Sequence, residues 1–221
     1  MEIWEKIPYL FFMNYDVIIV ASGKGERAKL GYNKAFFRMK DGMSVLEHTL
    51  SLFLEDEDCR NIIVVTSEGY MKDVPDHQKL ICVIGGKERK DSVANGLRFA
   101  TSEYVLIHDA VRPYLRKETL EELKKKTEEC GAVCLGHMAC DTVKLVKDKT
   151  IVRTIDRNEV FLAETPQAFR TRQIQDAYDR RKDSFFTDDA SLMESLGHEV
   201  HILIDEYDNP KLTKEEDFIG I

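Results

Sequence analysis

The chain lacks several features that mark membrane, secreted or nucleic-acid-binding proteins. No apolar run is long enough to span a membrane, and the apolar stretch 9–13 is too short for a secretion signal and has no small-residue cleavage site. Basic residues are not in excess, since 32 Lys and Arg stand against 40 Asp and Glu, a formal charge of −8. This balance argues against a nucleic-acid or anionic-membrane surface. The 5 cysteines follow no disulfide-framework spacing, which predicts reduced thiols and a cytoplasmic location.

Two common phosphate-binding motifs are also missing. No Gly-x-x-x-x-Gly-Lys-Ser/Thr string follows the first predicted strand, so a Walker loop is not indicated. The string Gly23-x-Gly25-x-x-Ala28 formally fits the dinucleotide fingerprint. That fingerprint needs an acidic residue about 20 positions later, at the end of the second strand. The next clear strand, 61–66, ends too late to supply it.

The segment 16–34 is nevertheless built like a phosphate loop. Its β-branched half, 17–20, predicts a strand that is buried on both faces. Gly23 and Gly25 then allow backbone amides to converge on one point. Positive charge follows within a few turns, from Lys24, Arg27, Lys29 and Lys34. The segment predicts a polyphosphate site, and a tight turn with solvated lysines remains the alternative.

The length of 221 residues suits one α/β domain, residues 1–221, with residues 1–13 as an extension outside the core. Apolar runs alternate with amphipathic segments, which predicts a parallel sheet with right-handed crossovers. The predicted strands are 17–20, 62–66, 81–84, 104–107, 131–138 and 200–204. The predicted helices are 45–54, 93–100, 117–130, 171–181, 190–196 and a last one capped by Thr213 and Glu216.

Residues 141–160 depart from this alternation. Two short apolar runs flank the polar pair Asp148-Lys149, which predicts a β-hairpin that projects from the α/β body. A lone two-stranded ribbon is marginally stable in water, so this hairpin should pack against something.

Two further loops follow predicted strands, at 85–92 and 108–113. Ligands bind beyond the carboxyl ends of parallel strands, so both loops and the first one should face one crevice. Asp109 ends a buried strand and is predicted to hold Mg²⁺, because this ion prefers carboxylates together with phosphate oxygens. On local grounds the loop 85–92 could equally be an ordinary strand–helix turn capped by Asp91 or Ser92.

Two other polar clusters have simpler explanations. Asp188 and Asp189 could act in the site or merely complement a helix dipole. A second set is spaced like zinc ligands: Cys130, Cys134, His137 and Cys140. Strand alternation places His137 on the opposite face from Cys134, which favours buried small residues over a metal site.

Taken together, the motifs resemble those of the 2-C-methyl-D-erythritol 4-phosphate cytidylyltransferases, from about Tyr15 to Asp217. The matching strings are Ala-Ser-Gly-Lys-Gly-Glu-Arg (21–27), Asn-Lys (33–34), Gly-Gly-Lys-Glu-Arg-Lys-Asp-Ser-Val (85–93), His-Asp-Ala-Val-Arg-Pro (108–113), Asp-Thr (141–142), Asp-Arg (156–157), Thr-Pro-Gln-Ala-Phe (165–169), Thr-Asp-Asp-Ala-Ser (187–191) and Asn-Pro-Lys-Leu-Thr (209–213). Their order and spacing are together specific.

The resemblance implies a nucleotidyltransferase fold. This fold is a Rossmann-like three-layer α/β sandwich, similar to glycosyltransferase-A enzymes, with a mostly parallel sheet and a projecting β-hairpin arm. The implied reaction moves CMP from CTP to 2-C-methyl-D-erythritol 4-phosphate with Mg²⁺ or another divalent cation. The arm, 141–160, is implied to clasp a second subunit in a homodimer. Alternatives are a cytidylyltransferase for another polyol phosphate, such as D-ribitol 5-phosphate, and a non-catalytic nucleotide-binding protein.

The resemblance also implies the roles of individual residues. The catalytic cations would be Arg27, Lys34, Arg157 (from the partner chain) and Lys211. CTP and its metal would be bound by Ala21, Ser22, Gly23, Gly25, Gly86, Arg89, Ser92 and Asp109, with Gly86 and Ser92 nearest the base. The acceptor substrate would be bound by Arg112, Thr142 and Thr165. Ser22 departs from the family pattern, in which alanine is common at this position.

Overall fold

The computed structural model describes residues 13–23, 30–180 and 185–221. The strands are β1 Tyr15–Val20, β2 Cys59–Thr66, β3 Leu80–Ile84, β4 Tyr104–Asp109, β5 Ala132–Met138, β6 Val143–Lys147, β7 Thr150–Ile155, β8 Phe161–Arg170 and β9 His201–Ile204. The helices are α1 Val45–Glu55, α2 Arg89–Leu97, α3 Lys117–Cys130, α4 Thr171–Arg180 and α5 Asp189–Ser195.

Seven strands form one sheet in the order β3-β2-β1-β4-β8-β5-β9. Strands β3, β2, β1 and β4 run parallel to one another, and β9 runs parallel to β5. Strand β8 is antiparallel to both of its neighbours, β4 and β5. The prediction of a mostly parallel sheet is confirmed.

Helices cover both faces of this sheet. Alternation along β1 sends Val17 and Ile19 into one hydrophobic cluster and Ile18 into another. The first cluster contains the apolar faces of α1 and α3, and the second contains those of α2, α4 and α5. The predicted three-layer arrangement is therefore confirmed. Met13 is 2% exposed and packs in the first cluster, so this residue is part of the core, contrary to the prediction that it lies outside.

Strand β8 was not among the predicted strands, although Thr165-Pro166-Gln167 was expected to matter to the site. Its Pro166 has no amide proton for a ladder bond, which argues against a central strand. The pairing of β8 with β5 shows how the sheet accommodates this proline. Cys134 pairs with Gln167 and Gly136 pairs with Ala163, so the segment of β8 between the two pairs is longer than the segment of β5. The extra residues on β8 bulge out of the ladder, so the proline interrupts no pairing.

Two predicted helix starts need correction. Helix α2 begins at Arg89 instead of Val93, because the Asp91 carboxylate accepts the amide proton of Glu88 (2.9 Å) and closes the first turn earlier. The C-terminal helix is a single 3₁₀ turn, Glu215–Phe218. The predicted capping by Glu216 is wrong, since the Asp217 carboxylate accepts the amides of Thr213 (2.6 Å) and Lys214 (2.8 Å).

The predicted hairpin is confirmed as a separate two-stranded sheet of β6 and β7. Asp148 and Lys149 connect its strands with φ angles of 50° and 62°, as a tight two-residue hairpin turn requires. Four of its apolar side chains are 45–60% exposed, namely Leu145, Val146, Ile151 and Val152.

Candidate active site

A cavity of about 1080 Å³ lies beyond the carboxyl ends of the parallel strands. The loops that follow β1, β3 and β4 all reach it, as the sequence predicted. Its lining includes Ala21, Ser22, Gly23, Gly31, Tyr32, Asn33, Lys34, Ser67, Tyr70, Gly85, Gly86, Lys87, Glu88, Arg89, Asp109 and Lys211. Polar and cationic groups from distant parts of the chain therefore share one space.

Asn33 fixes the segment that carries Lys34. Its side-chain amide donates to the carbonyl of Ala21, and its Oδ1 accepts the amide of Ala35 (3.1 Å). The backbone amide of Asn33 donates to the Tyr70 hydroxyl (2.9 Å). The Lys34 ammonium donates to the carbonyl of Leu212 (2.6 Å), next to Lys211. Sequence reasoning gave no role to Asn33 or Tyr70, although Asn33 lay within a matching string. The predicted site residues Arg27 and Gly25 lie outside the described residues.

The loop after β3 packs directly on the loop after β1. A Cβ added to Gly85 would lie 2.6 Å from Cβ of Ser22, so only glycine permits this approach. The Ser22 and Ser92 hydroxyls are 2.8 Å apart, and Ser92 Oγ accepts the amide of Gly86 (3.0 Å). Ser92, predicted to lie nearest the base, is fully buried and does not line the cavity. Ser22 and Gly86 do line it.

Asp109 is held by cations from two directions. Its Oδ2 lies 2.6 Å from Lys211 Nζ, and its Oδ1 lies 3.4 Å from Arg89 Nε. Burial alone would raise the pKa of Asp109, but the charges of Arg89, Lys211 and Arg112 hold this pKa well below its usual range. The group is a carboxylate at neutral pH. Asp109 is the residue of this cavity that could hold Mg²⁺, because this ion takes a carboxylate together with phosphate oxygens and waters.

Asp189, for which the sequence left open a role in the site or at the helix dipole, forms an ion pair with Arg89. Its fully buried carboxylate lies 2.9 Å from Arg89 Nη1 and accepts the Tyr178 hydroxyl (2.6 Å). Asp188 instead caps α5, accepting the amide of Ser191 (3.0 Å). Arg89 thus bridges Asp189 and Asp109. The sequence indicated a role here only through two successive Asp residues, and it did not show which of the two side chains points inward.

Thr165 supports β4 from behind. Its hydroxyl oxygen accepts the amide of Asp109 (3.0 Å) and lies 3.1 Å from Nδ1 of His108. His108 is fully buried, and this burial lowers its pKa to about 4, so the imidazole is neutral. Thr165 therefore reaches the site through the backbone of Asp109 and does not line the cavity.

Three predicted site residues do not line the cavity. Arg112 is buried, with Nη1 donating to the carbonyl of Asn209 and lying 3.6 Å from Glu164 Oε1. Thr142 and Arg157 lie at the base of the hairpin, where Arg157 Nη1 donates to the carbonyl of Cys140 (2.7 Å). None of the three is among the lining residues.

The zinc-like spacing does not produce a metal site. Cys134 is buried and accepts from Gln167 Nε2 (3.3 Å), whereas His137 lies on the other face beside Glu164. In the described ranges, no three His, Cys, Asp or Glu side chains gather as metal ligands would. Across those same ranges, no helix is both long and apolar enough to cross a membrane.

Comparison with known proteins matches this chain to one family. The family model described as 2-C-methyl-D-erythritol 4-phosphate cytidylyltransferase (IspD) matches residues 15–220. Proteins of that name from Bacillus licheniformis and Geobacillus thermodenitrificans are 38% and 39% identical over 217 residues. The alignments cover 94% of this chain and 94% and 95% of those proteins. The crystal structure of the Francisella tularensis enzyme superposes with a TM-score of 0.80 at 28% identity, covering 92% of this chain and 95% of that one. The chain belongs to the 2-C-methyl-D-erythritol 4-phosphate cytidylyltransferase family.

Proposed function

We propose that this chain is a CTP-dependent cytidylyltransferase that transfers CMP from CTP to 2-C-methyl-D-erythritol 4-phosphate. The products are 4-diphosphocytidyl-2-C-methyl-D-erythritol, a precursor in non-mevalonate isoprenoid synthesis, and pyrophosphate. One observation carries the proposal: in a member of this family, Lys34, Asp109 and Lys211 line a single cavity together with Gly23.

The chemistry is an in-line displacement at phosphorus. An oxygen of the acceptor phosphate bonds to the α-phosphorus of CTP, and the bond from that phosphorus to the β-phosphate oxygen breaks. The electron pair leaves with pyrophosphate. The acceptor phosphate is already ionised near neutral pH, so no side chain must remove a proton. The protein supplies position and positive charge.

Cationic side chains of this chain supply the positive charge that the transfer needs. Lys34, with Arg27, stabilises the charge that accumulates at the α-phosphate. The backbone amides of the glycine loop, 23–25, bind the outer phosphates. Lys211 Nζ lies 2.6 Å from Asp109 Oδ2, and in this proposal its charge receives the acceptor phosphate. Asp109 would hold Mg²⁺, which, when bound, neutralises charge on the β- and γ-phosphates.

We further propose that the enzyme is a cytoplasmic homodimer. The exposed apolar side chains of β6 and β7 give the arm a surface for a second subunit. Arg157 and Thr142 do not line the cavity of their own chain. If the arm reaches across to a second subunit, both residues can act in the partner's site. There the arginine can bind phosphate in a bidentate manner.

Pyrophosphate release tests the proposal. The enzyme is incubated with CTP and Mg²⁺ and with 2-C-methyl-D-erythritol 4-phosphate, with D-ribitol 5-phosphate or with no acceptor. Release that depends on the methylerythritol acceptor is expected. Release with ribitol phosphate alone would assign a different polyol acceptor. CTP binding without release in any arm would favour a non-catalytic nucleotide-binding protein.

A further inference from the structure

Tyr70 lines the cavity from a segment to which the proposed reaction assigns no role. It lies after β2, in the 3₁₀ segment Glu68–Asp73, and its backbone amide donates to the carbonyl of Ser67 (2.9 Å). Its side chain contacts the segment after β1 that carries Lys34. The connection after β2 therefore braces the connection after β1.

Tyr70 holds this neighbouring segment at two points. Its hydroxyl oxygen accepts the backbone amide of Asn33 (2.9 Å). The direction of this hydrogen bond is fixed, because a backbone amide can only donate. The Tyr70 ring also stacks on Phe36, with the ring centroids 4.7 Å apart and an angle of 16° between the ring planes. Lys34 lies in the chain between the two residues that Tyr70 contacts.

These contacts fix the backbone from which the Lys34 side chain extends. Residues Lys34–Phe36 form one 3₁₀ turn, and the amide of its last residue donates to the carbonyl of Asn33 (3.0 Å). At the other end of the side chain, the Lys34 ammonium donates to the carbonyl of Leu212 (2.6 Å). A charge that stabilises a transition state is most effective when its position is set before the reaction begins. Tyr70 contributes to that preorganisation from the backbone end.

We propose that Tyr70 is a positioning residue for Lys34. Its hydroxyl holds the amide of Asn33, so that the Lys34 ammonium is kept where the phosphate reacts. Tyr70 acts through the backbone and not by contact with the reacting atoms. This inference rests on the proposed function, because it takes Lys34 as a cation of the transfer.

The Tyr70→Phe variant tests the assignment, since it keeps the ring beside Phe36 and removes only the acceptor of the Asn33 amide. Loss of one neutral hydrogen bond should lower kcat roughly 3- to 10-fold. The Kd for CTP, measured by calorimetric titration, should change by less than about twofold, because the lost interaction acts mainly in the transition state. Tyr207→Phe is the control and should keep kcat within about twofold, because this tyrosine is 47% exposed and does not line the cavity.

A double variant separates positioning from a purely structural role. If Tyr70 acts through Lys34, adding Tyr70→Phe to Lys34→Ala should leave the kcat of Lys34→Ala unchanged within about twofold. A structural role would lower kcat by the same factor in both backgrounds. Hydrogen exchange at the Asn33 amide gives a readout that needs no activity: exchange should be faster in Tyr70→Phe than in the wild type.

The outcomes distinguish this inference from the proposed function. If the wild type releases no pyrophosphate from CTP and 2-C-methyl-D-erythritol 4-phosphate, the proposed function is wrong and the inference falls with it. If the wild type is active and Tyr70→Phe keeps its kcat, only the inference is overturned. A loss confined to CTP affinity, an equal loss with and without Lys34, or unchanged exchange of the Asn33 amide would each contradict it as well.

Discussion

At the scale of single residues, two lysines on the cavity wall offer a matched comparison. Lys34 is held over the cavity by Asn33 and by the carbonyl of Leu212, whereas Lys87 lies exposed at the rim. We predict that Lys34→Ala lowers kcat roughly 10²- to 10³-fold, because one preorganised charge at the transition state is lost. Binding of CTP should weaken far less.

Steady-state kinetics and calorimetric titration with CTP separate these two effects. Lys87→Ala is the control and should retain kcat within about twofold, because an exposed charge is largely screened. A wild-type kcat for Lys34→Ala would remove Lys34 from the mechanism. A loss confined to CTP affinity would leave it as a binding residue only.

The sequence predicted which residues belong to the site better than it predicted how deeply each side chain is buried. Asp109 and Lys34 were assigned from the strings around them, and both line the cavity. Ser92 was expected to lie nearest the base but is buried behind Ser22. The role of Asp189 depends on an ion pair with Arg89, a residue 100 positions away. Local sequence carries no information on such a contact, since it arises only when two loops meet.

At the scale of elements, the turn from β3 into α2 depends on close backbone approach. A Cβ added to Gly86 would lie 2.2 Å from Cβ of Asp91, the residue whose carboxylate closes the first turn of α2. We predict that Gly86→Ala destabilises the protein by about 1–3 kcal/mol through this overlap. It should also weaken CTP binding, because the loop lines the cavity.

Chemical denaturation and nucleotide titration measure these two quantities. Gly69→Ala is the matched control, because nothing lies within 4 Å of the added Cβ. Its free energy of unfolding should change by no more than about 0.5 kcal/mol. Equal stability of Gly86→Ala and Gly69→Ala would show that the loop can relax around a side chain.

Helix α3 is anchored to the rest of the fold by the buried Lys124. Its ammonium lies 2.9–3.0 Å from the carboxylates of Asp56, Asp58 and Glu121. Burial alone would raise the pKa of Asp56, but its hydrogen bonds with Lys124, Asp58 and Tyr15 lower this pKa overall. The contribution of Asp56 to stability is therefore complete above the ordinary aspartate pKa and is lost as the pH falls through the lowered value.

We predict that Lys124→Met lowers the free energy of unfolding by about 3 kcal/mol near pH 7, because it leaves carboxylates without their cation. The difference from the wild type should shrink as the pH falls below about 4 and through the lowered pKa of Asp56, where this carboxylate becomes protonated. Urea denaturation across this range checks both statements. Lys125→Met, an exposed position on the same helix, should have little effect at any pH. A pH-independent deficit for Lys124→Met would assign its effect to packing instead of charge.

Elements with a clean periodicity were predicted almost to the residue, and α3 and the hairpin are examples. Strand β8 was missed because Pro166 breaks the local strand pattern, and only the opposing strand shows that the extra residues form a bulge. The start of α2 was misplaced because several residues in that segment can cap a helix. The choice among them depends on the turn out of β3.

At the scale of the whole molecule, the arm should decide the oligomeric state. Val146 and Ile151 pair across the hairpin and are 54% and 60% exposed. We predict that the double variant Val146→Ser and Ile151→Ser converts the proposed dimer to a monomer, because it removes apolar surface from the proposed interface. Its kcat should fall as well, since Arg157 could no longer reach the partner's site.

Analytical ultracentrifugation of the wild type and the double variant measures the oligomeric state directly. Replacing Lys149 by glycine in the hairpin turn, where φ is positive, changes no apolar surface and should leave the dimer intact. A wild-type protein that is monomeric at assay concentrations, yet fully active, would contradict both the dimer and the role of Arg157.

The central claim is that this cavity joins CMP to the phosphate of 2-C-methyl-D-erythritol 4-phosphate. Phosphorus NMR of the enzyme with CTP, Mg²⁺ and this acceptor tests the claim most directly. The account predicts that the acceptor's monophosphate signal and the triphosphate signals disappear together, replaced by two coupled diphosphate resonances and free pyrophosphate in equal amounts. An unchanged acceptor signal beside intact CTP, from folded enzyme that binds CTP, would contradict it.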